Sequence, residues 1–169
     1  MDLTTTLVAQ IQAQMQKTVL NATPQYTLNH KVEDTLSDGT GADKADLCVE
    51  VDSSLGVGAN TTIDLAGSLS DIFGDAVTFA RIKAMLIENE STDADAVLIV
   101  GGAGANPWPG PFQDVSDKIE VRPGGAALFF CADATGWPVV GGASDVLKIE
   151  NESGANACSY RITFVGEAA

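Results

Sequence analysis

The sequence predicts an all-β protein, a jelly-roll-like or related antiparallel β-sandwich that carries a short N-terminal α-helical arm. Two observations predict the sandwich. Apolar and polar residues alternate in about nine short segments, and clusters of Gly, Pro, Asn or Asp separate most of them. The first twenty residues differ, because their apolar positions recur every three or four residues. We therefore expect a helical arm over residues 1–23 and a β-sandwich domain over residues 24–169.

The N-terminal arm is predicted as a helix over residues 3–20. Asp2 suits the start of a helix, and Pro24 prevents a helix from continuing far beyond residue 20. So short a helix does not form a stable coiled coil alone, so it should pack on the same chain or on a partner. The apolar residues at the spacing of one helical face are Leu7, Val8, Ile11, Met15 and Val19.

From Pro24 onward the period of the apolar residues is two, as in strands with one buried face. Turn-forming pairs such as Asp38-Gly39 and Gly141-Gly142 bound these segments. The predicted strands lie at residues 26–32, 47–52, 60–66, 77–87, 95–101, 117–122, 126–131, 145–151 and 158–165.

Composition excludes some classes of partner. The 169 residues include 9 Lys and Arg against 23 Asp and Glu, a formal net charge of −14. Binding to nucleic acid or to an anionic membrane needs clustered basic residues, so we expect neither partner. No apolar run reaches the length of a membrane span, and no signal peptide is recognisable. Hydrophobic residues make up 45% of the chain, which is enough for a buried core.

The three cysteines, Cys48, Cys131 and Cys158, have wide and irregular spacing. An odd number at such spacing indicates neither a disulfide framework nor a metal site. Each lies in an apolar or alternating segment, so we expect three small buried side chains. The pattern favours synthesis in a reducing cytoplasm.

No catalytic site is predicted. His30 is the only histidine, so any Ser-His-Asp or Cys-His enzyme would have to use it, and its alternating surroundings favour an ordinary strand residue. GxSxG, HExxH and CxxC motifs do not occur in the sequence. We therefore assign no catalytic, cofactor-binding or metal-binding residues and expect a protein that is not an enzyme.

A glycine-rich segment, Val97–Asn106, resembles the start of a dinucleotide-binding fold but does not meet its requirements. Such a glycine turn must lead into a helix, and the following Pro107-Trp108-Pro109-Gly110-Pro111 prevents one. Residues 101–112 are predicted as a rigid surface loop with Trp108 and Phe112. Two alternatives remain for Trp108: the loop folds back over the core, or the indole contacts a partner.

Two acidic clusters could hold Ca²⁺, but neither has the spacing of an EF-hand, and solvated turns are the expected structure. The clusters are Asp38, Asp43 and Asp46, and Glu90, Asp93 and Asp95. The dispersed basic residues are expected to pair with nearby carboxylates; they include Arg81, Lys83 and Arg122.

A five-residue sequence, Ile-Glu-Asn-Glu-Ser, occurs twice, at residues 87–91 and 149–153. We interpret the two copies as strand-to-strand hairpins at similar sheet positions. The alternative is a pair of acidic loops that bind one ligand.

Residues from about Ile63 to Ala168 resemble small virion proteins of tailed bacteriophages, such as capsid decoration (cement) proteins. The segments that carry the resemblance are 63–67, 73–83, 117–125 and 145–149, which read IDLAG, FGDAVTFARIK, DKIEVRPGG and DVLKI. The resemblance implies a structural protein on the capsid surface of the virion, with the major capsid protein as its partner.

Under this interpretation the protein forms a homo-oligomer, with a trimer favoured, and bridges capsid subunits. The alternative is a tail-fibre or tail-tip module that binds a carbohydrate or a host receptor. In that case the aromatic rings of Trp108, Phe112 and Trp137 would stack on sugar rings.

Overall fold

The computed structural model of the protein describes residues 2–169, and it confirms the predicted all-β class. These residues form thirteen strands and one 3₁₀ helix, Gly110–Phe112, which lies between the eighth and ninth strands. In chain order the strands are β1 (Thr5–Gln16), β2 (Gln25–Leu36), β3 (Leu47–Leu55), β4 (Asn60–Asp64), β5 (Leu69–Ser70), β6 (Ala76–Val77), β7 (Phe79–Asn89), β8 (Leu98–Gly101), β9 (Lys118–Val121), β10 (Ala126–Phe130), β11 (Trp137–Pro138), β12 (Val146–Asn151) and β13 (Cys158–Ala168).

The predicted N-terminal helix is wrong: this segment is the first strand of a long antiparallel hairpin. β1 pairs with β2 along its whole length, from Thr5 opposite Leu36 to Gln16 opposite Gln25. The sequence explains why this segment forms a strand: four glutamines at positions 10, 12, 14 and 16 alternate strictly with apolar residues. That period-two pattern places every glutamine on one face of a strand, whereas a helix would scatter them around its circumference.

The residues after the hairpin form the body of the protein, residues 37–169, which is built on two antiparallel sheets. One sheet has the order β10-β7-β13-β3, with β11 also paired to β7, and the other has the order β4-β12-β8-β9. The short strands β5 and β6 form a separate hairpin. Every region predicted as a strand after Pro24 contains a strand of the structure.

One hydrophobic core fills the space between the two sheets. Met85, Ile87 and Phe164 enter it from the β7-β13 side, and Leu98 and Ile149 enter from the β12-β8 side. All five side chains are buried. Because the inward residues alternate with outward ones along each strand, the two sheets bury a common layer and form a sandwich-like body.

Candidate functional site

The hairpin, which we call the arm (Thr5–Leu36), presents one polar and one apolar face. On the polar face, glutamines of β1 lie opposite Thr27, Asn29 and Lys31 of β2. On the other face, apolar residues of both strands line up, because partners in an antiparallel pair point to the same side. We call the following set the apolar stripe: Ile11, Ala13, Met15, Tyr26, Leu28 and Val32.

The apolar stripe lies in solvent. Every residue from Gln10 to Glu33 is exposed, and Ile11, Met15 and Tyr26 have 67%, 68% and 60% of their surface accessible. Within the described chain, β1 and β2 pair only with each other, so both edges of the arm are also unpaired. Isolated two-stranded hairpins are marginally stable in water, and exposed apolar patches of this kind are typical of interaction surfaces.

At its base the same face of the arm is buried on the body. Leu7 and Leu36 pack with Ala45, Ala84 and Val165 in a small second core. Ala84 and Val165 lie on the outer face of the larger sheet, opposite each other in the β7-β13 register. The arm therefore uses one continuous face, which is buried at the base and uncovered beyond it.

A buried ion pair holds the loop that joins the arm to the body. The Lys83 ammonium lies 3.3 Å from the Glu167 carboxylate, with side-chain exposures of 0% and 4%. Lys83 also donates hydrogen bonds to the carbonyls of Gly41, at 2.9 Å, and Asp133. The Gly41 N–H donates to Glu167 at 2.9 Å. The ion pair therefore holds both the N–H and the carbonyl of Gly41 in the connecting loop.

A groove of about 530 Å³ lies beside the base of the arm on the outer face of the larger sheet. Its floor contains Leu86, which is 41% exposed, together with Leu128 and Thr163, which lie opposite it on the neighbouring strands. One wall is formed by residues 3–8, which are the start of β1 and the two residues before it. All residues that line the groove are uncharged.

A second depression, of about 580 Å³, shares residues with the groove, but acidic side chains, among them Glu50 and Asp71, also line it. It reaches the loop of the β5-β6 hairpin, where Ile72 and Phe73 are 92% and 73% exposed. Cys48 lines both depressions. The uncharged groove therefore continues into a depression that is partly apolar and partly acidic.

Charge is divided unequally between the arm and the rest of the chain. The arm contains Lys17 and Lys31 against Glu33 and Asp34, so its formal charge is zero. The remaining residues contain seven basic and 21 acidic side chains and carry the whole charge of −14. Contact through the arm therefore avoids the repulsion that two acidic bodies would experience.

His30 lies on the arm, opposite Ile11 and exposed to solvent. This location agrees with the expectation of an ordinary strand residue.

The aromatic residues predicted as a contact surface are not exposed together. Trp108 is 1% exposed, and its indole N–H donates to the Pro138 carbonyl at 2.9 Å, so its loop folds back over the core. Phe112 packs edge to face on Phe129, with 5.8 Å between ring centres. Trp137 is half-buried against the core. Of the two alternatives for Trp108, the structure agrees with the loop that folds back over the core, and the buried indole is not available to stack on a sugar ring.

The acidic clusters are occupied by hydrogen bonds within the chain. Asp38 accepts from the Leu3 N–H, and Asp46 accepts from the Ala168 N–H. Asp95 accepts from Asn156 and Ser153 side chains, and these hydrogen bonds lower its pKa. Among residues 2–169, His, Cys, Asp and Glu side chains form no group with the geometry of a metal site.

Three basic residues pair as expected with carboxylates. Arg81 and Lys83 contact Glu167, and Arg122 contacts Glu120 at 2.8 Å.

The cysteines differ from one another. Cys158 is buried as predicted and Cys131 is half-buried, but the expectation of burial is wrong for Cys48. Cys48 belongs to the edge strand β3 and faces outward into the groove, where partial desolvation and the nearby Glu50 carboxylate raise the pKa of its thiol.

The repeated Ile-Glu-Asn-Glu-Ser sequence has a structural role in both places. We expected each copy to form a strand-to-strand hairpin, and this expectation is wrong. The copies lie at the ends of β7 and β12, and after each of them the chain crosses to the other sheet. The buried Asn89 amide donates to the carbonyls of Ala96 and Val121 at 2.8 and 2.9 Å, and the Asn151 amide donates to two loop carbonyls at 2.8 and 2.9 Å. Each asparagine oxygen also accepts the backbone N–H two residues later.

The glycine-rich segment is an irregular loop after β8 and leads only into the three-residue 3₁₀ helix Gly110–Phe112. At Gly101 and Gly102 the φ angles are positive, and a Cβ would meet the Asp117 carbonyl and the Lys118 side chain within 2.6 Å.

Comparisons give no family for this chain. It matched no family model, no curated protein and no solved structure. The described residues contain no helix long and apolar enough to cross a membrane. On the geometry described above, the arm and the groove are the main candidates for a functional site. The sequence analysis missed the stripe because it assigned a helical period to residues 3–20.

Proposed function

We propose that the protein is a structural component of a tailed-phage virion, a decoration protein that binds the outer surface of the capsid. The observation that carries the proposal is the arm, whose stripe exposes large apolar side chains on a hairpin without further strands. A free-standing soluble domain gains nothing from such a surface, whereas an assembly component buries it against neighbouring subunits. The resemblance of residues 63–168 to phage virion proteins supports the same class.

The body of such a protein would be a jelly roll. The sheet orders β3-β13-β7-β10 and β4-β12-β8-β9 support this topology, because the chain enters the two sheets in the sequence expected of two Greek keys. Jelly rolls occur in viral capsid proteins and lectins, so the topology fits a virion component without requiring catalysis. We assign no enzymatic activity.

A decoration protein stabilises a shell through contact area and copy number. Each copy contributes a modest interface with the major capsid protein, and bridging of adjacent subunits adds these contributions over the whole shell. The protein would act as a homo-oligomer, with a trimer expected at a symmetry axis. It would be made in the host cytoplasm and reside on the capsid surface.

The test uses empty shells assembled from the major capsid protein of the same virus, without decoration protein. The full chain should sediment with these shells to saturation and raise the temperature at which they disrupt. The double variant Ile11→Thr, Met15→Thr should bind the shells much less. The double variant Gln12→Thr, Gln14→Thr should bind them normally. Failure of the wild-type chain to bind the shells would overturn the proposed function.

The alternative, a tail-fibre or tail-tip module that binds a carbohydrate or receptor, loses its main predicted platform because Trp108 is buried. Binding to a glycan array, without binding to shells, would favour that alternative.

A further inference from the structure

We propose that the apolar stripe of the arm docks in the groove of a second copy of this chain. The proposal gives an interface to the expected homo-oligomer and rests on that part of the proposed function, but it does not depend on capsid binding.

The stripe and the groove are both uncovered in the same molecule. The stripe begins two residues beyond Ala9 and runs away from the body, and every residue from Gln10 to Glu33 is exposed. Leu86 on the floor of the groove is 41% exposed. Because the arm does not fold back on its own groove, only another molecule can bring the two surfaces together.

The base of the arm shows that the two surfaces are complementary. There, Leu7 and Leu36 lie on the same hairpin face as the stripe and pack on Ala84 and Val165. Leu86 and Thr163 belong to the next outward-facing row of the same two strands. A second arm laid beside the first would therefore repeat, between molecules, a packing that already exists within one.

The arm is the region through which acidic copies can associate with the least electrostatic repulsion. The stripe lies on a segment of zero net charge, and the residues that line the groove are uncharged. Contact between two bodies would instead bring together surfaces that carry the charge of −14. A basic partner would be attracted to the acidic body and would not need a neutral contact region. An acidic partner would need one, so the neutrality of the arm favours a second copy of this chain.

The available area is that of a small interface. The five largest stripe residues are 42–68% exposed. Tyr26 belongs to the aromatic side chains that bury about 150–250 Å² each and the other four are smaller, so the stripe offers at most about 500 Å². With a matching area from the groove, the total is at most about 1,000 Å², the lower range for a specific interface. Because the two surfaces differ, the contact is head to tail, and it forms the expected trimer when the rotation between successive copies closes into a ring.

The first test is the native mass of the full chain by light scattering after size exclusion, at concentrations from about 1 to 100 µM. The wild-type chain should be oligomeric. Threonine at both Ile11 and Met15 should weaken self-association by at least about a hundredfold, because two exposed apolar anchors are lost while strand propensity is kept. The matched control, threonine at Gln12 and Gln14 on the polar face, should remain oligomeric.

A groove variant keeps the proposal testable if the stripe variant unfolds the arm. Leu86→Glu changes the body without changing the arm, and it should also give a monomer. When the stripe variant and the groove variant are mixed, one intact stripe meets one intact groove, so a 1:1 heterodimer should form. A wild-type monomer at 100 µM, or an oligomer that survives both variants, would overturn the proposal.

A cross-link locates the contact. Cys48 lines the groove and is exposed, so Met15→Cys in a Cys131→Ser background should form disulfide-linked dimers and larger covalent oligomers under mild oxidation at alkaline pH. Gln14→Cys, on the opposite face of the arm, should not. Equal cross-linking of both variants would contradict the assignment of the stripe.

The two proposals fail separately. An oligomer that does not bind shells would overturn the capsid function and leave the interface intact. A monomer that binds and stabilises shells would do the reverse.

Discussion

We expect Glu167→Gln to destabilise the body far more than the same substitution at a glutamate that pairs with a lysine near the surface. Glu167 and Lys83 are almost fully buried, and the substitution leaves the lysine ammonium without its negative partner. Two carbonyls, of Gly41 and Asp133, continue to accept hydrogen bonds from it. Carbonyl groups carry no net charge, so they offset only part of the desolvation of the ammonium.

Removing one partner of a buried ion pair costs about 3–5 kcal/mol. Glutamine keeps an oxygen that can accept from the Gly41 N–H, so we expect the lower end, about 3 kcal/mol. Arg81 also contacts Glu167, at 3.4 Å, but its side chain is 36% exposed and solvent screens most of that contribution. With a urea m-value of about 2 kcal/mol per M, the unfolding midpoint should fall by about 1.5 M.

The assay is urea unfolding followed by circular dichroism and tryptophan fluorescence, with Glu150→Gln as the matched control. Glu150 pairs with Lys148 at 2.7 Å, but the two side chains are 32% and 21% exposed. Its replacement should cost at most about 1 kcal/mol. Equal losses below about 1 kcal/mol for both variants would refute the argument that burial of the Lys83–Glu167 pair makes it important.

Three further predictions concern the core and the pH dependence. Asn89→Ala should lower the free energy of unfolding by about 3 kcal/mol, because the carbonyls of Ala96 and Val121 lose their donor. Trp108→Phe should cost about 1–2 kcal/mol in the same urea assay, because the Pro138 carbonyl loses its donor, and it should leave shell binding unchanged. Hydrogen bonds from the Gly136 and Thr135 N–H groups, with a smaller contribution from Lys83, lower the pKa of Asp133 below its ordinary value of 3.8. Because the folded pKa is the lower one, this contribution to stability is present above pH 3.8 and is lost as the pH falls through the folded pKa. Urea midpoints between pH 2 and pH 6 should therefore fall less steeply on acidification for Asp133→Asn than for the wild type.

Each of these predictions has a specific contrary outcome. Asn89→Ala with wild-type stability would mean that water replaces the lost amide donor. Loss of shell binding on Trp108→Phe in a folded chain would indicate a direct contact for the indole. Parallel acid profiles for the wild type and Asp133→Asn would show that this carboxylate does not contribute to acid unfolding.

The strands after Pro24 could be predicted because their pattern is local. Alternation along 47–52 or 145–151 identifies a half-buried strand whichever strand lies beside it. Pairing with carboxylates was also predictable for Arg81 and Arg122 in so acidic a chain. The sheet in which a strand lies was not predictable, and the repeated Ile-Glu-Asn-Glu-Ser sequence illustrates this. Its buried asparagines join segments that are distant in sequence, so their role depends on the crossing of the chain between sheets.

The candidate site was harder to predict, because it depends on long-range pairing. Residues 3–20 contain both a 3–4 residue spacing and a period-two alternation of glutamines, and local pattern alone does not decide between them. Pairing with β2, and burial of Leu7 and Leu36 on the body, select the strand. Once the segment is a strand, Ile11, Ala13 and Met15 fall on one face and contribute to the stripe.

Composition and local pattern were enough to predict the all-β class, the acidic charge and the strands after Pro24 except the two-residue strands β5 and β11. These properties follow from composition and from short-range periodicity, which act wherever the segment lies. Only the tertiary structure decided that the first segment is a hairpin arm, that Trp108 lies inside and Cys48 outside, and that a groove opens beside the arm. These properties arise from contacts between residues far apart in the chain, and each such contact is the outcome of a competition between alternative partners for the same surface.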